Sequence, residues 1–353
     1  MARLYLGEGT YGKVYKIIRE GKVLALKEFK NEGDNYLSEV SLGMQCDHPN
    51  IVKVVDFGQD HLLMQAGTHD LHQEVSREMP SEEKILSWLP AMFSSLIYLH
   101  ENGIAHGDVK DSNFVFLKDG SLLLCDLGSC SLLEGYSSNL GTLPSPQVYV
   151  QSLHPDEVKV SLDIFQEKLN KRASDAWSLG ATLLKLLTGK YPFLSRDPLT
   201  EYTKYNENPL AYLFAQRVPV SFVPLLQVLL SSTQKKRNDL RRVAERFSIP
   251  IVEGRKPIFS DFLKVEQQTH PRIEEETSYS PLLSQAASII YTKVKSENLA
   301  SALDEDLAQA CLFLASHVYD SGTLAEELEE SSNLAFTIFR QLKGQLYFEL
   351  SNK

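Results

Sequence analysis

Three stretches of this chain place chemically capable residues at informative intervals. The first is Gly7-Glu8-Gly9-Thr10-Tyr11-Gly12-Lys13-Val14. Glycines let a backbone pass close to phosphate oxygens with its amide N–H groups turned inward. A dinucleotide-binding unit would start a helix at the last glycine. Here Val14-Tyr15-Lys16-Ile17-Ile18 has the character of a strand, which argues for a flap over a nucleotide instead. The second stretch is Leu24-Ala25-Leu26-Lys27, a lysine in an apolar strand fifteen residues past Gly12. A buried ammonium needs an anion, which phosphates and a carboxylate would supply, and Glu39 on the next helix is the candidate. The third is His106-Gly107-Asp108-Val109-Lys110-Asp111-Ser112-Asn113, followed by an apolar run and Asp126-Leu127-Gly128.

The elements that must hold these residues fall into two kinds. Up to about residue 65 the pattern predicts strands at Leu4–Leu6, Val14–Ile18, Val23–Phe29, Val52–Phe57 and Leu62–Gln65, with one helix near Tyr36–Gln45. Beyond Gly67 helices take over. Ile85, Leu89, Phe93, Leu96 and Leu99 recur at helical spacing after a capping signal at Ser81. Further helices are expected over Asp175–Thr188 and Phe222–Ser232. From about Thr277 three amphipathic helices follow, with stripes Leu282/Ala286/Ile289/Ile290, Leu303/Leu307/Cys311/Leu314/Val318 and Leu328/Ala335/Ile338/Leu342/Leu346.

At this point the chain resembles the eukaryotic-type protein kinase superfamily. The resemblance rests on the glycine loop, Lys27, His48-Pro49-Asn50-Ile51-Val52, the variants of HRDxxxxN and DFG, Asp175-Ala176-Trp177-Ser178-Leu179-Gly180 and Thr188-Gly189-Lys190-Tyr191-Pro192-Phe193, in the family's order. It covers about residues 3–250. It implies an α+β, bilobal protein-kinase-like fold, with an antiparallel-sheet lobe at 1–66 and a helical lobe at 67–260; the acidic helical extension at 261–353 lies beyond the resemblance and rests on its own helical pattern and charge.

The resemblance also implies ATP and Mg²⁺ as cofactors and a protein as substrate. Asp108 would accept the proton of the attacking hydroxyl, Lys110 would touch the γ-phosphate, and Lys27 would pair with the phosphates and Glu39. Asn113 and Asp126 would hold Mg²⁺. Gly7, Gly9 and Gly12 would cover the phosphates. Leu6, Val14, Ala25, Met64 and Val115 would line the adenine slot, with backbone groups of Gln65 and Gly67 at its edge. Thr142, after Gly141, would support the substrate hydroxyl beside Asp108. Lysine two residues after the catalytic aspartate resembles serine/threonine rather than tyrosine kinases.

The departures from the family carry expectations of their own. Gly107 stands where an arginine usually grips an activation-loop phosphate, so activity independent of that phosphate is expected. His-Gly-Asp also occurs in small-molecule kinases, and a pseudokinase scaffold is a further alternative. Ser145-Pro146-Gln147 replaces Ala-Pro-Glu, so that Arg237 is expected to be exposed or to find another carboxylate. Gly43 replaces a bulky residue one turn after Glu39, which predicts lost packing and a loosely held helix. A longer connection at 148–174 suggests an inserted helix near Leu162–Leu169.

Composition narrows the classes. Hydrophobic residues make up 43% of the 353 and charged residues 23%, the balance of a folded chain. No apolar run approaches the ~20 residues of a membrane span, and no secretory leader is visible. Four widely spaced cysteines fit a reducing, cytoplasmic setting, with delivery into a host cell left open. From Val265 to Lys353 the charge balance is −8, against −2 for the rest, the opposite of a nucleic-acid footprint. The extension is expected to pack on the large lobe, or to brace the Glu39 helix or recruit a regulatory partner.

Overall fold

The computed structural model describes residues 3–9, 12–30, 36–133, 142–146, 169–193, 198–255, 281–300, 304–319 and 332–343. Gln147, the acidic run at 326–330 and all but the last residue of the expected inserted helix lie outside them.

The first lobe is a five-stranded antiparallel sheet. Its strands are β1 (Arg3–Glu8), β2 (Gly12–Arg19), β3 (Lys22–Phe29), β4 (Val54–Phe57) and β5 (His61–Gln65), in the order β1-β2-β3-β5-β4. Between β3 and β4 runs α1 (Tyr36–Gln45). Paired residues in neighbouring strands share a face, as do residues two apart. Val14 pairs with Lys27, Leu62 with Lys27, and Ala25 with Met64. That register puts Val14, Ala25, Lys27, Leu62 and Met64 on one side of the sheet. Leu24, Leu26, Leu63 and Ile17 form a small separate cluster on the other.

After β6 (His69–Asp70) and α2 (Leu71–Arg77), the second lobe is built around α3 (Glu82–Glu101). Ser81 caps α3 by accepting a hydrogen bond from the Lys84 amide at 3.2 Å. The five apolar residues read from its spacing are all buried, together with Trp88 and Met92. Short strands β7 (Ile104–Ala105), β8 (Phe114–Phe116), β9 (Leu122–Leu124) and β10 (Ser131–Leu132) carry the loops that matter below. Helix α4 (Lys171–Thr188) starts four residues before the expected Asp175, because Asn170 Oδ1 caps it by accepting from the Ala173 amide at 3.1 Å. It stops at Gly189, whose φ of +73° a residue with a side chain adopts only under strain. Helices α5 (Pro198–Glu207), α6 (Pro209–Ala215), α7 (Val223–Leu229) and α8 (Leu240–Arg246) complete the lobe. The expected Phe222–Ser232 helix is thus shorter at both ends.

The extension contributes α9 (Pro281–Glu297), α10 (Asp304–Tyr319) and α11 (Ser332–Gln341). Its apolar residues are turned inward: Leu283, Ala286, Ile290, Leu307, Cys311, Leu314, Ile338 and Phe339 are all buried, in one core that runs on into both lobes. Of the placements expected for it, contact with the Glu39 helix is the one seen: α10 packs against α1, and α11 reaches β4. Among the described residues, the buried apolar side chains of these stripes are packed within the chain. No helix among the described residues is long and apolar enough to cross a membrane.

Two further expectations are corrected. Gly43 does not leave a hole, since a Cβ there would lie 2.2 Å from Val54 Cγ2, so the glycine lets β4 press directly onto α1. Arg237 is not exposed at all. Its Nε donates to the Ala173 carbonyl at 2.8 Å, an Nη donates to the Ser231 carbonyl, and the guanidinium lies 5.2 Å from the Trp177 ring centroid. The two carbonyl dipoles and the π face each stabilise the buried guanidinium.

Candidate active site

Lys27 is 6% exposed and Glu39 4%. The lysine Nζ lies 2.7 Å from both carboxylate oxygens of Glu39 and 2.8 Å from Asp126 Oδ1. Three elements distant in sequence therefore meet at one ammonium. Burial works against the charge on Lys27, but Glu39 and Asp126 outweigh it and hold its pKa above the ordinary lysine range. Burial pushes the Glu39 carboxyl up to about 7 against the pull of Lys27. Both of its oxygens lie against the Lys27 amine, a charge-assisted contact. Asp126 has a φ of +60°, a left-handed conformation uncommon for an aspartate, which starts the turn Leu127–Ser129.

The second group is built on the loop from His106 to Asn113. Asp175, buried near the start of α4, holds it from below: its Oδ2 accepts from the His106 amide and from His100 Nε2, each at 2.8 Å, and its Oδ1 from the Gly107 amide at 2.9 Å. Burial alone would raise its carboxyl; these donors and the nearby histidines overcome it and keep the pKa below the ordinary value. Gly107 has φ +81°, and a Cβ there would stand 2.5 Å from the Ser129 carbonyl oxygen. Glycine is required twice over at this position.

Above that floor, Asp108 Oδ1 accepts from the Thr142 amide at 2.7 Å, and Oδ2 lies 2.6 Å from Lys110 Nζ. Lys110 also donates to Thr142 Oγ1 at 2.9 Å. Asn113 Nδ2 donates to the Asp108 carbonyl at 2.8 Å. Thr142 is held by its neighbours, since Ser178 Oγ donates to the Leu143 carbonyl at 2.7 Å and Tyr202 OH to the Pro144 carbonyl at 3.1 Å.

Sequence reasoning assigned no role to Asp175 or to Asp111. Asp111 is fully buried and accepts from Tyr191 OH at 2.6 Å, while Lys185 donates to its other oxygen and His72 Nδ1 lies 3.1 Å away. Burial resists its charge, but Lys185 and Tyr191 hold its carboxyl below the usual value. The network ties the loop to α2 and α4. A lysine among the apolar residues of α4 was the one visible sign of it.

The nucleotide-facing residues divide. Val14, Ala25, Lys27 and Met64 share their face of the sheet by register. Gly67 comes so close to Val115 that a Cβ would lie 2.9 Å from its Cβ, which brings the two lobes' linings together. The Gln65 amide donates to the Lys53 carbonyl at 2.9 Å and so is not itself offered to a base edge. Leu6 is the extra residue of a bulge between Tyr5 and Gly7 and is 43% exposed. Gly7 and Gly9 face open space, whereas a Cβ on Gly12 would meet the Glu28 carbonyl oxygen at 2.3 Å. Gly12 is needed for the β2–β3 approach itself.

The donor set fits a hard divalent cation only in part. With Asn113 Nδ2 on a carbonyl and Asp126 Oδ1 on Lys27, the oxygens available to a cation are Asn113 Oδ1 and Asp126 Oδ2. Among the described residues no cluster of three or more His, Cys, Asp or Glu side chains could hold a metal by itself. A Mg²⁺ ion seeking six oxygens would need phosphate oxygens and water to complete its shell, which is how it usually binds beside a nucleotide.

A two-lobed fold with this lysine–glutamate–aspartate contact and this aspartate–lysine–threonine group defines the class. The protein kinase domain family matches residues 3–246, and the chain belongs to that family. Among its relatives, serine/threonine-protein kinase GRIK2 of Arabidopsis thaliana is 26% identical over 297 residues, 76% of this chain and 69% of that protein. CTD kinase subunit alpha of Schizosaccharomyces pombe is 30% identical over 212 residues, 56% of this chain and 34% of its own length. Cytokinesis protein sepH of Aspergillus niger is 29% identical over 208 residues, 55% of this chain but 15% of that protein. The chain thus spans well under two thirds of the last two.

Proposed function

We propose that this chain transfers the γ-phosphate of Mg·ATP to serine or threonine hydroxyls of proteins. The observation that carries the reading is the group at Asp108. Lys110 Nζ bridges Asp108 Oδ2 and Thr142 Oγ1 at 2.6 and 2.9 Å, with the Thr142 amide on Asp108 Oδ1. A small hydroxyl entering this group would meet a carboxylate to take its proton and an ammonium to meet the incoming phosphoryl oxygens. Lys27, braced by Glu39, would orient the phosphates arriving from the sheet side. Mg²⁺ at Asn113 and Asp126 would bridge and partly neutralise those phosphates. Relatives whose names include serine/threonine kinases support the choice of hydroxyl.

Independence from an activation-loop phosphate is part of the proposal. Gly107 supplies no guanidinium. The start of the loop is instead held by pairing of β10 with β7 and by Lys171, whose Nζ donates to the Leu132 carbonyl at 2.5 Å and to Ser131 Oγ at 3.1 Å.

The test is transfer from labelled ATP with Mg²⁺ to generic protein substrates, parent against Asp108→Asn. Loss of a positioned base costs roughly 10²–10⁴-fold, and phosphoamino-acid analysis identifies the hydroxyl. Nucleotide binding without transfer in the parent would refute the enzymatic reading. Activity abolished by prior phosphatase treatment would refute the phosphate independence.

A further inference from the structure

Helix α1 is enclosed on every side. Nine of its ten residues are buried, among them Ser38, Ser41 and Gln45, which a helix with a solvent face would turn outward. Val54 of β4 presses on Gly43, the turn Leu127–Ser129 lies against the helix, and α10 packs against it as well. The contact at its first residue comes from furthest away in the sequence. Phe339 of α11, fully buried, has its ring 6.5 Å from Tyr36 and 5.1 Å from Phe57 of β4. The neighbouring Arg340 lies 5.2 Å from the Phe57 ring, donates to the Phe57 carbonyl, and has its Nη2 3.7 Å from Asp56 Oδ1. On its other side Tyr36 donates to the Gly58 carbonyl and meets the Phe29 ring edge-on at 4.9 Å.

We infer that Phe339 and Arg340 are positioning residues for phosphoryl transfer, wedged where α1 begins against β4 so that Glu39 stays on Lys27. The inference rests on the kinase reading above. Glu39 follows Tyr36 by three residues, so the two lie on adjacent turns of one face and a rotation at Tyr36 is carried to the Glu39 carboxylate. If Glu39 withdraws, Lys27 keeps Asp126 as its carboxylate partner and the ammonium is drawn toward a residue expected to serve the metal. Neither Phe339 nor Arg340 reaches the site. They act through Tyr36 and Phe57, on a helix whose own Gly43 gives it little intrinsic stiffness.

The experiment uses the full chain, comparing the parent with Phe339→Ala, Phe339→Leu, Arg340→Ala and, as a control at an exposed neighbour, Gln341→Ala. It reads kcat, KM for ATP, thermal midpoint, and amide exchange over 36–45 against 171–188. Phe339→Ala and Arg340→Ala should lower kcat by roughly tenfold to 100-fold, the cost of a misplaced catalytic contact. Protection should fall over 36–45 and hold over 171–188, with Phe339→Leu recovering most of both. Unchanged kcat in an earlier-melting Phe339→Ala, or exchange raised equally everywhere, would overturn the inference. Should Phe339→Ala fail to fold, Arg340→Ala, whose side chain is half exposed, decides alone. A parent without phosphotransfer would overturn the kinase reading, whereas an active parent with fully active variants overturns only the role of these two residues.

Discussion

Restoring the family's arginine at Gly107 should damage the enzyme rather than add phosphate control. The backbone there sits at φ +81°, where a residue with a Cβ pays about 1–2 kcal/mol. Its Cβ would lie 2.5 Å from the Ser129 carbonyl oxygen, inside the 3.0 Å that real contacts respect. Relief must come from moving Ser129, at the end of the turn that begins at Asp126, or from moving Gly107 off Asp175. Overpacking of this kind costs about 1–3 kcal/mol. The two terms together give about 2–5 kcal/mol, or a fall in melting temperature of about 4–20 °C at the 2–4 °C per kcal/mol of a domain this size. Gly107→Ala isolates the Cβ and Gly107→Arg adds the guanidinium; thermal or urea unfolding of both against the parent measures the cost. A Gly107→Ala variant within ~0.5 kcal/mol of the parent, the level of neutral surface changes, would show that neither the backbone conformation nor the overlap with Ser129 demands glycine there.

Gly43→Leu, which brings back the bulk usual in the family, should destabilise by about 1–3 kcal/mol because Val54 already fills the space; a gain in melting temperature would contradict that packing. Asp111 and Asp175 have folded pKa values depressed below the ordinary 3.8, so their stabilisation is complete above that pH and is lost as pH falls through the lower folded values. Stability should drop below about pH 4 in the parent and less steeply in Asp111→Asn, to be read from urea midpoints across an acid series. Lys110→Ala should cut kcat by roughly 10²–10³-fold, the loss seen when one transition-state donor is removed, while nucleotide affinity, followed by calorimetry, changes little. Equal losses in affinity and kcat would place Lys110 at the ground state instead.

The residues that gather at the candidate site were legible because each sits in a short local string. Lys27 in an apolar strand, Asp108 to Asn113 and Asp126 each announce themselves within a few residues, and α1 runs over the same residues that its pattern predicted. What escaped was set by contacts between distant segments. Gly43 read as a void because Val54, eleven residues on, could not be known to fill it. Exposure was one reading of Arg237 because nothing in its own neighbourhood says that two carbonyls and the Trp177 ring lie against it. The extension's stripes gave three helices and their inner faces, but a stripe does not name its partner. The face that meets α1 looks no different in sequence from one that would meet the large lobe.

The span between Tyr36 and Phe339 also sets an order of events during synthesis. Helix α1 leaves the ribosome early, while the ring that sits at its first residue follows some 300 residues later. At roughly 5–20 residues per second that interval is about 15–60 s, long compared with the folding of a helix or a small sheet. During that time both carboxylates and Lys27 exist, yet the outer cover of α1 does not. A chain interrupted before α11 would carry every motif of the site without the last contact at Tyr36. On the positioning role inferred for Phe339 and Arg340, α1 is fully braced only once translation has passed residue 340.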